Sequence, residues 1–539
     1  MQATVPVARS ERGVAYKWIV AMVVIFGIFM SILDSTIVNI AIPRLQTAFG
    51  SSLNDVQWVL TGYTLAQGVA TPLTAFISDR IGTKRFYMLS LIGFIVGSAC
   101  CGFAWSLPIL IVFRVFQGAS GAFLTPLAMT LLYREFPPSE RGTAMGALGI
   151  PILLAPALGP TLGGYIVTFA GWQLIFFINL PIGIVGLLMA FFFLHESPIN
   201  PRIDFDLLGF ITAALGLGLL LYGLSDASTD GWSSGIVLGC LIGGGLLLVM
   251  FILVELGRIR REEQPLLDIR VFSSRPFSSS MIASTLVIFA LYGGLFLVPV
   301  YLQSLRGYSA FQAGLVLLPQ AFASMLAVLI GGRLVDKIGV RAVVIPGLVI
   351  TAISLWRLTF LNLYIPTSSF QLILILRGFG IGLCLQPLMV SAVAEMPIRR
   401  MAQASAVSTT IRFVGSSLAV AIIATLVQSQ TKLHYAHLAE RVTPNSSQGQ
   451  LVNLLQALFI SHGFPVAYAQ AYAVKTIGGL LERQSYMLAM QDAFWITLVL
   501  AILAIVASFF VGSRRSKASA VVTLSEEEIA ARREALIAG

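Results

Sequence analysis

Asp34 lies in an apolar run over residues 19–43, and Arg114, Arg377 and Arg412 lie in three further apolar runs. An ionisable side chain inside such a helix costs about 2.5–3.5 kcal/mol on insertion scales, so each needs a reason to be there. Asp34 is the one acid well inside a run; Glu255 and Glu395 sit at run ends. A buried carboxyl has a specific use. Desolvation favours its neutral form and a nearby guanidinium its charged form, so surroundings that alternate between the two let it load and release a proton. It can also hold a cationic ligand in competition with the proton. The plain alternative is a permanent interhelical salt bridge or a helix-end polar contact. At about 1.5 Å per residue, Asp34 sits about 13 Å and Arg114 about 9–10 Å below the outer ends of their helices. Their similar depth leads to the expectation that both face one central cavity. For Arg377 and Arg412 a structural or pairing role is the expectation.

The elements that must position these groups are membrane spans. A crossing helix needs about 20 apolar residues for a hydrocarbon core about 30 Å thick. Fourteen segments qualify: 19–43, 54–77, 86–105, 108–132, 142–168, 172–194, 206–225, 234–256, 278–302, 311–334, 341–361, 369–393, 403–427 and 489–512. Of the 539 residues 57% are apolar and 11% charged, with a mean hydropathy of +0.88. Soluble chains average about 45–50% and about 25%, so a soluble enzyme, a disordered chain and a disulfide-stapled secreted domain are excluded. An even span count puts both termini on one side. With that side cytoplasmic, 24 Lys and Arg fall inside, 7 outside and 3 within spans, as the positive-inside rule requires. The net charge of +10 thus follows topology and implies no nucleic acid. Cys100, Cys101, Cys240 and Cys384 lie in apolar runs with neither metal spacing nor a disulfide framework, and His434, His437 and His462 fall in a solvated outer segment. No metal site is expected. Arg9, Arg12 and Lys17 precede a first run too long for a signal-peptide core and without a small-x-small cleavage site, so it is read as a retained span.

The chain repeats weakly. Asp79-Arg80-Ile81-Gly82-Thr83-Lys84-Arg85 after span 2 is answered by Asp336-Lys337-Ile338-Gly339-Val340-Arg341 after span 10, and Phe113-Arg114 by Leu376-Arg377. Six spans match six in parallel orientation, as in transporters built from two halves. The expected division is a cytoplasmic N-terminus (1–18), a six-helix bundle (19–195), an inserted helix pair (206–256), a second six-helix bundle (278–512) and a cytoplasmic tail (513–539). Residues 428–488 of the second bundle form an outer segment, where Leu451, Leu454, Leu455 and Leu458 suggest one or two short amphipathic helices. Ser525 and Glu528 have capping-box spacing in the tail. In span 5, Pro160 removes a backbone hydrogen bond, while Gly159, Gly163 and Gly164 allow close helix approach. A packed kink and a hinge between bundles are both compatible with that run.

These residues together resemble the major facilitator superfamily, and within it the fourteen-span drug:proton antiporters of the EmrB/QacA type, over residues 19–512. Leu33-Asp34-Ser35-Thr36-Ile37-Val38-Asn39-Ile40-Ala41-Ile42-Pro43 is similar to that family's first-span signature. The loop at 79–85 resembles its cytoplasmic gate motif, with Ala75 at the usual leading glycine and Thr83 at a usual arginine. Arg114-x-x-Gln117-Gly118 resembles the span-4 motif, and Gly159-Pro160-x-x-Gly163-Gly164 the antiporter motif. Gly171-Trp172-Gln173 and Phe176-Phe177-Ile178-Asn179-Leu180-Pro181-Ile182-Gly183 match the start of span 6, with Gln173 where arginine is common.

The resemblance implies an all-α polytopic protein of two six-helix bundles plus two inserted helices, in the inner (plasma) membrane, exporting drugs by alternating access. Spans 1, 4, 9 and 12 would line much of the cavity. Asp34 would carry the exchanged proton with Arg114 and Gln117 beside its path. Asp79, Arg80, Gly82, Lys84 and Arg85, with Asp336 and Arg341, would latch the cytoplasmic gate. Asn39, Trp58, Tyr63, Tyr292, Phe296, Arg377, Gln386 and Arg412 are the candidate cavity residues, each also explicable as packing. With no second acid mid-span, hydrophobic neutral, weakly acidic or monocationic compounds are expected rather than dications. No cofactor is implied; the proton-motive force would supply the energy. Partners would be substrate, protons, membrane lipids and, in a double-membrane host, a periplasmic adaptor and outer-membrane channel. The alternative on the same fold is export of a lipid, siderophore or metabolite. A membrane-embedded enzyme would need a catalytic constellation that the chain does not present, and a proton-coupled peptide symporter an acidic first-span signature that is missing here.

Overall fold

The computed structural model describes residues 15–511, apart from 198, 200–204, 228–229, 262, 264, 394–395, 397–399 and 444–445. Arg9, Arg12, Glu395 and the Ser525–Glu528 pair lie outside the described residues. The first half comprises α1 (Tyr16–Phe49), α2 (Leu53–Ala70), α3 (Thr74–Ile81), α4 (Thr83–Gly102), α5 (Leu107–Gly121), α6 (Leu124–Glu135), α7 (Arg141–Phe169), α8 (Leu174–Phe177) and α9 (Asn179–Phe193). The inserted pair is α10 (Leu207–Asp226) and α11 (Gly235–Arg260). The second half comprises α12 (Arg275–Val300), α13 (Ala310–Ile338), α14 (Val340–Leu358), α15 (Thr367–Val393), α16 (Met401–Glu440), α17 (Ser447–Ser461) and α18 (Val466–Ser508).

Among the described residues, thirteen helical segments are long and apolar enough to cross a membrane, with Leu107–Glu135 counted as one. Each of the thirteen overlaps an expected span. The remaining expected span, 54–77, is broken: α2 stops at Ala70, a 3-10 turn holds Thr71–Leu73, and α3 resumes at Thr74. Pro72 sits in that turn, where its missing N–H removes one backbone bond; Pro43 and Pro160 do the same inside helices that stay continuous.

The core is apolar, but the outer surface and a few buried charges depart from the pattern of a soluble protein. Ile242, Leu246 and Leu253 of α11 are 61%, 66% and 63% exposed, while Asp34, Arg114 and Arg377 are fully buried. An exposed apolar belt of this kind is tolerated where lipid covers it. Lipid supplies no hydrophobic force between helices, so close packing through small residues must hold them together. The main seam between the halves, α7 along α13, is made this way. Gly142 meets the backbone of Gly332, Gly146 that of Val328, and Gly314 that of Thr161. Gly164 lies against Phe311. On its other side, α7 packs on α1, with Gly159 against Thr36 and Gly163 against Ile37.

The repeat is visible in the backbone. Gly82 (φ +96°) ends α3 and starts α4, and Gly339 (φ +90°) does the same between α13 and α14. Only glycine enters that region at little cost. These two turns mark one end of the bundle, here termed the gate end. At the far end, α16 and α18 continue past the bundle. Their 40 and 43 residues correspond to about 60–65 Å, twice the hydrocarbon thickness. The segment expected as one or two short helices holds one short helix, α17, packed on the extension of α18. His434 Nε2 and Asp492 Oδ2, 2.7 Å apart, tie those extensions together.

Candidate functional site

The buried charges of the first half form one cluster. Arg114 Nη1 of α5 donates to Asp34 Oδ2 of α1 at 2.5 Å. Asp34 Oδ1 accepts from Gln117 Nε2 at 3.0 Å and from Asn179 Nδ2 at 2.7 Å. Arg114 and Gln117 are three residues apart on one face of α5, which presents both to the same carboxylate. Arg114 Nη1 also donates to Gln117 Oε1 at 2.7 Å, and Arg114 Nε to the Val59 carbonyl at 3.1 Å. The guanidinium lies over the Tyr63 ring, 3.9 Å from its centroid, with Phe176 at 5.7 Å. Asn179 begins α9 and also donates to Ser98 Oγ at 2.9 Å. A fully buried pair of this kind is sensitive to loss of one member, which leaves the other charge uncompensated at about 3–5 kcal/mol.

A central cavity of ≈ 170 Å³ lies beside this cluster. It is lined by segments of α1, α2, the α5–α6 junction, α7, α12, α13, α15 and α16. The expected lining from spans 1, 4, 9 and 12 is thus joined by spans 2, 5, 10 and 13. Ser31 and Ser35 of α1 face the cavity and Asp34 does not; its carboxylate turns towards α5 and α9. Between them stands a polar bridge. Gln67 Nε2 donates to Tyr63 OH at 3.0 Å, and Tyr63 OH donates to the Ser31 carbonyl at 3.2 Å. Ser31 and Gln67 line the cavity, while Tyr63 carries the Arg114 guanidinium on its ring.

The other candidate cavity residues divide. Tyr292 and Arg412 line the cavity. Trp58 is exposed and stacks on Tyr222 at 5.7 Å. Asn39 is exposed and bonds back to the Ser35 carbonyl at 3.3 Å. Phe296 packs in the far-end core of the second half, and Gln386 is buried against Gly149 of α7. Arg377, the repeat partner of Arg114, has no acid beside it. Its Nη2 donates to the carbonyls of Ala290 (2.8 Å) and Leu291 (3.1 Å), and its Nε and Nη1 have no partner.

At the gate end, the two copies of the repeated loop behave differently. Asp336 crosses between halves and accepts from Gly142 N (2.8 Å), Thr143 N (2.9 Å) and Thr143 Oγ1 (2.7 Å). These donors are the first turn of α7, whose unpaired N–H groups and dipole favour a carboxylate. Arg341 donates to the Val511 carbonyl. In the first copy, burial raises the Asp79 carboxyl above its ordinary pKa, and the nearby Arg134 opposes that shift. Arg80 lies over the Phe76 ring. Glu196 accepts from the backbone N–H of Lys84 and of Arg85, each at 3.1 Å, and Lys84 Nζ donates to the Phe191 carbonyl at 2.8 Å. Glu196, Ser31 and Gln67 were not singled out from sequence; Asn179 entered only within the span-6 motif, and Tyr63 only as a cavity residue. Asn179 and Gln67 left a readable signal, as polar residues inside apolar runs.

The profile of the Major Facilitator Superfamily matches residues 24–420. The MFS-type transporter YhcA of Bacillus subtilis (strain 168) is 34% identical over 496 residues, covering 91% of this chain and 92% of that protein. The multidrug export protein EmrB of Escherichia coli (strain K12) is 30% identical over 473 residues, covering 87% and 90%. Among solved structures, the human organic anion transporter MFSD10 (TETRAN) superposes with a TM-score of 0.55 at 15% identity, over 90% of this chain and 99% of that one. That last likeness is one of fold.

Proposed function

This chain belongs to the Major Facilitator Superfamily and is a membrane transporter; on that premise we propose that it is a proton-driven multidrug exporter of the EmrB type. It moves hydrophobic neutral, weakly acidic or monocationic compounds out of the cytoplasm by alternating access. The observation that carries this reading is the fully buried Asp34–Arg114 pair placed one layer behind the central cavity.

The geometry suits antiport. With Asp34 ionised, its carboxylate draws α5 and α9 onto α1 through Arg114, Gln117 and Asn179. A proton on Asp34 cancels the attraction to Arg114 and weakens that clamp. Cargo in the cavity touches the same stretch of α1 at Ser31 and Ser35. Proton and cargo therefore act on one helix, and each biases its position against the other. The Tyr63–Gln67–Ser31 bridge gives the guanidinium a second route to the cavity wall. Asp336 on the first turn of α7 is the latch of the cytoplasmic gate, and the glycine seam of α7 with α13 is the surface on which the halves rock.

In this reading the protein sits in the inner membrane with both termini and the gate end cytoplasmic. The extensions of α16 and α18, with α17, then project outward, where a periplasmic adaptor docks in a double-membrane host. The proton-motive force is the sole energy source.

The test is transport in proteoliposomes under an imposed pH gradient, with a panel of lipophilic dyes. Wild type is expected to move at least one dye uphill in a protonophore-sensitive manner, and Asp34→Asn to lose the uphill component alone. Uphill transport by Asp34→Asn equal to wild type would place the proton site elsewhere. If no dye moves, the cargo is a lipid, siderophore or other metabolite.

A further inference from the structure

The charges held inside the two halves are not balanced alike. In the first half, Arg114 is neutralised by Asp34. In the second half, Arg377 and Arg412 are both held inside the bundle with no acid partner. Arg412 differs from Arg377 in one decisive respect: it lines the cavity, and it is the sole charged side chain in that lining. None of the hydrogen bonds or ion pairs of the described residues involves its guanidinium. The Arg412 guanidinium is partly buried with no counter-charge, with the Tyr292 phenol as its electrostatic neighbour, and five N–H donors in a planar fork match an oxyacid.

The surroundings of Arg412 are built to the same end. Thr409, Arg412, Phe413 and Ser416 recur at helical spacing on the face of α16 that meets the cavity. The Thr409 hydroxyl is buried and has no partner, although it sits one turn from the guanidinium. Opposite, Leu291, Leu295, Leu317 and Ile381 give an apolar wall. No Asp or Glu lines the cavity, since Asp34 is fully occupied behind it. A cationic cargo would meet a like charge and no acid here; an amphipathic anion would meet a guanidinium without a counter-charge, an unpartnered hydroxyl and apolar side chains.

We propose that Arg412, with Thr409, is a binding subsite for the carboxylate of an amphipathic organic acid, whose apolar body lies against the leucine wall of α12 and α13. This deepens the export reading and rests on it for direction of movement, but not for binding.

The test uses the full chain in lipid nanodiscs, titrated with radiolabelled decanoate. Bound label is competed with decanoate, decanol, decyltrimethylammonium and decanoyl-lysophosphatidate. Decanoate is expected to compete at least tenfold better than the other three. Arg412→Gln should weaken decanoate binding at least tenfold, Arg412→Lys less, and Thr409→Val a few-fold. No measurable binding to wild type, competition by decanol or decyltrimethylammonium equal to that of decanoate, or unchanged affinity in Arg412→Gln overturns the proposal. Preference for the lysophosphatidate overturns it in favour of a lipid phosphate. If Arg412→Gln does not fold, the wild-type competition order decides. Uphill dye transport is measured in parallel. Dye movement with unaltered decanoate affinity in Arg412→Gln sinks the subsite alone. Decanoate binding at Arg412 with no uphill movement of any compound, decanoate included, sinks the export reading and leaves the subsite standing.

Discussion

Asn179 donates its side-chain amide to the Asp34 carboxylate at 2.7 Å from a helix 145 positions further along the chain. It is the third donor on that carboxylate, after Arg114 and Gln117, and it alone ties α9 to the cluster. Hydrogen bonds to charged groups contribute about 1.5–3 kcal/mol. Asn179→Ala is therefore expected to slow proton-driven dye transport about tenfold or more while leaving downhill flux largely intact. Initial rates in proteoliposomes with and without a pH gradient check this; equal loss of both components would make Asn179 a packing residue only.

Gly294 and Arg377 occupy mutually exclusive space. A Cβ built on Gly294 would fall within the Arg377 guanidinium, and overpacking costs about 1–3 kcal/mol. Gly294→Ala should lower the thermal stability of the purified protein clearly. Combining it with Arg377→Met should recover much of the loss, because the thioether chain can move aside. Additive effects in that double-mutant cycle would show that the two positions do not share space in solution.

Asp336 holds the first turn of α7 through three donors. Charge at a helix N-terminus contributes about 0.3–1 kcal/mol, more when partly buried. Asp336→Asn is expected to open the gate end a few-fold more often, and Asp336→Ala more strongly. A cysteine placed at the cavity residue Ser324 reports it, as faster maleimide labelling from the gate side. Unchanged labelling in both variants would remove Asp336 from the latch.

Leu454 and Leu458 of α17 are 67% and 51% exposed beyond the bundle. Leu454→Glu with Leu458→Glu should leave proteoliposome transport unaltered, since neither residue lines the cavity. In double-membrane cells that supply an adaptor, the same pair should lower drug resistance several-fold. Lost transport in vesicles would instead make α17 part of the transport core.

Hydropathy alone determines the spans of this protein. Each span is a local property of about 20 consecutive residues, and the hydrocarbon core reads it without reference to the rest of the chain. The repeat was legible for a similar reason: Gly82 and Gly339 mark twin turns whose positive φ depends on residue type. The break at Thr71–Leu73 was not expected, since span 54–77 was read as continuous and Pro43 and Pro160 lie inside unbroken helices. Asp34 and Arg114 stood out because ionisable groups are rare in such runs; Gln117 was reached through the resemblance of Arg114-x-x-Gln117-Gly118 to a family motif.

What each of them touches was decided by the tertiary structure. Arg114, Arg377 and Arg412 look alike in sequence, as single arginines in apolar helices. Packing gives the first a carboxylate, the second two backbone carbonyls and the third an open cavity. Their partners on other helices lie 55 to 87 positions away, and helix-to-helix contact in lipid depends on small-residue seams such as Gly142 on Gly332 rather than on any local pattern. Rotation of α1 by a fraction of a turn separates Ser31 and Ser35, which face the cavity, from Asp34, which does not. No periodicity in the chain specifies that rotation; the neighbouring helices set it.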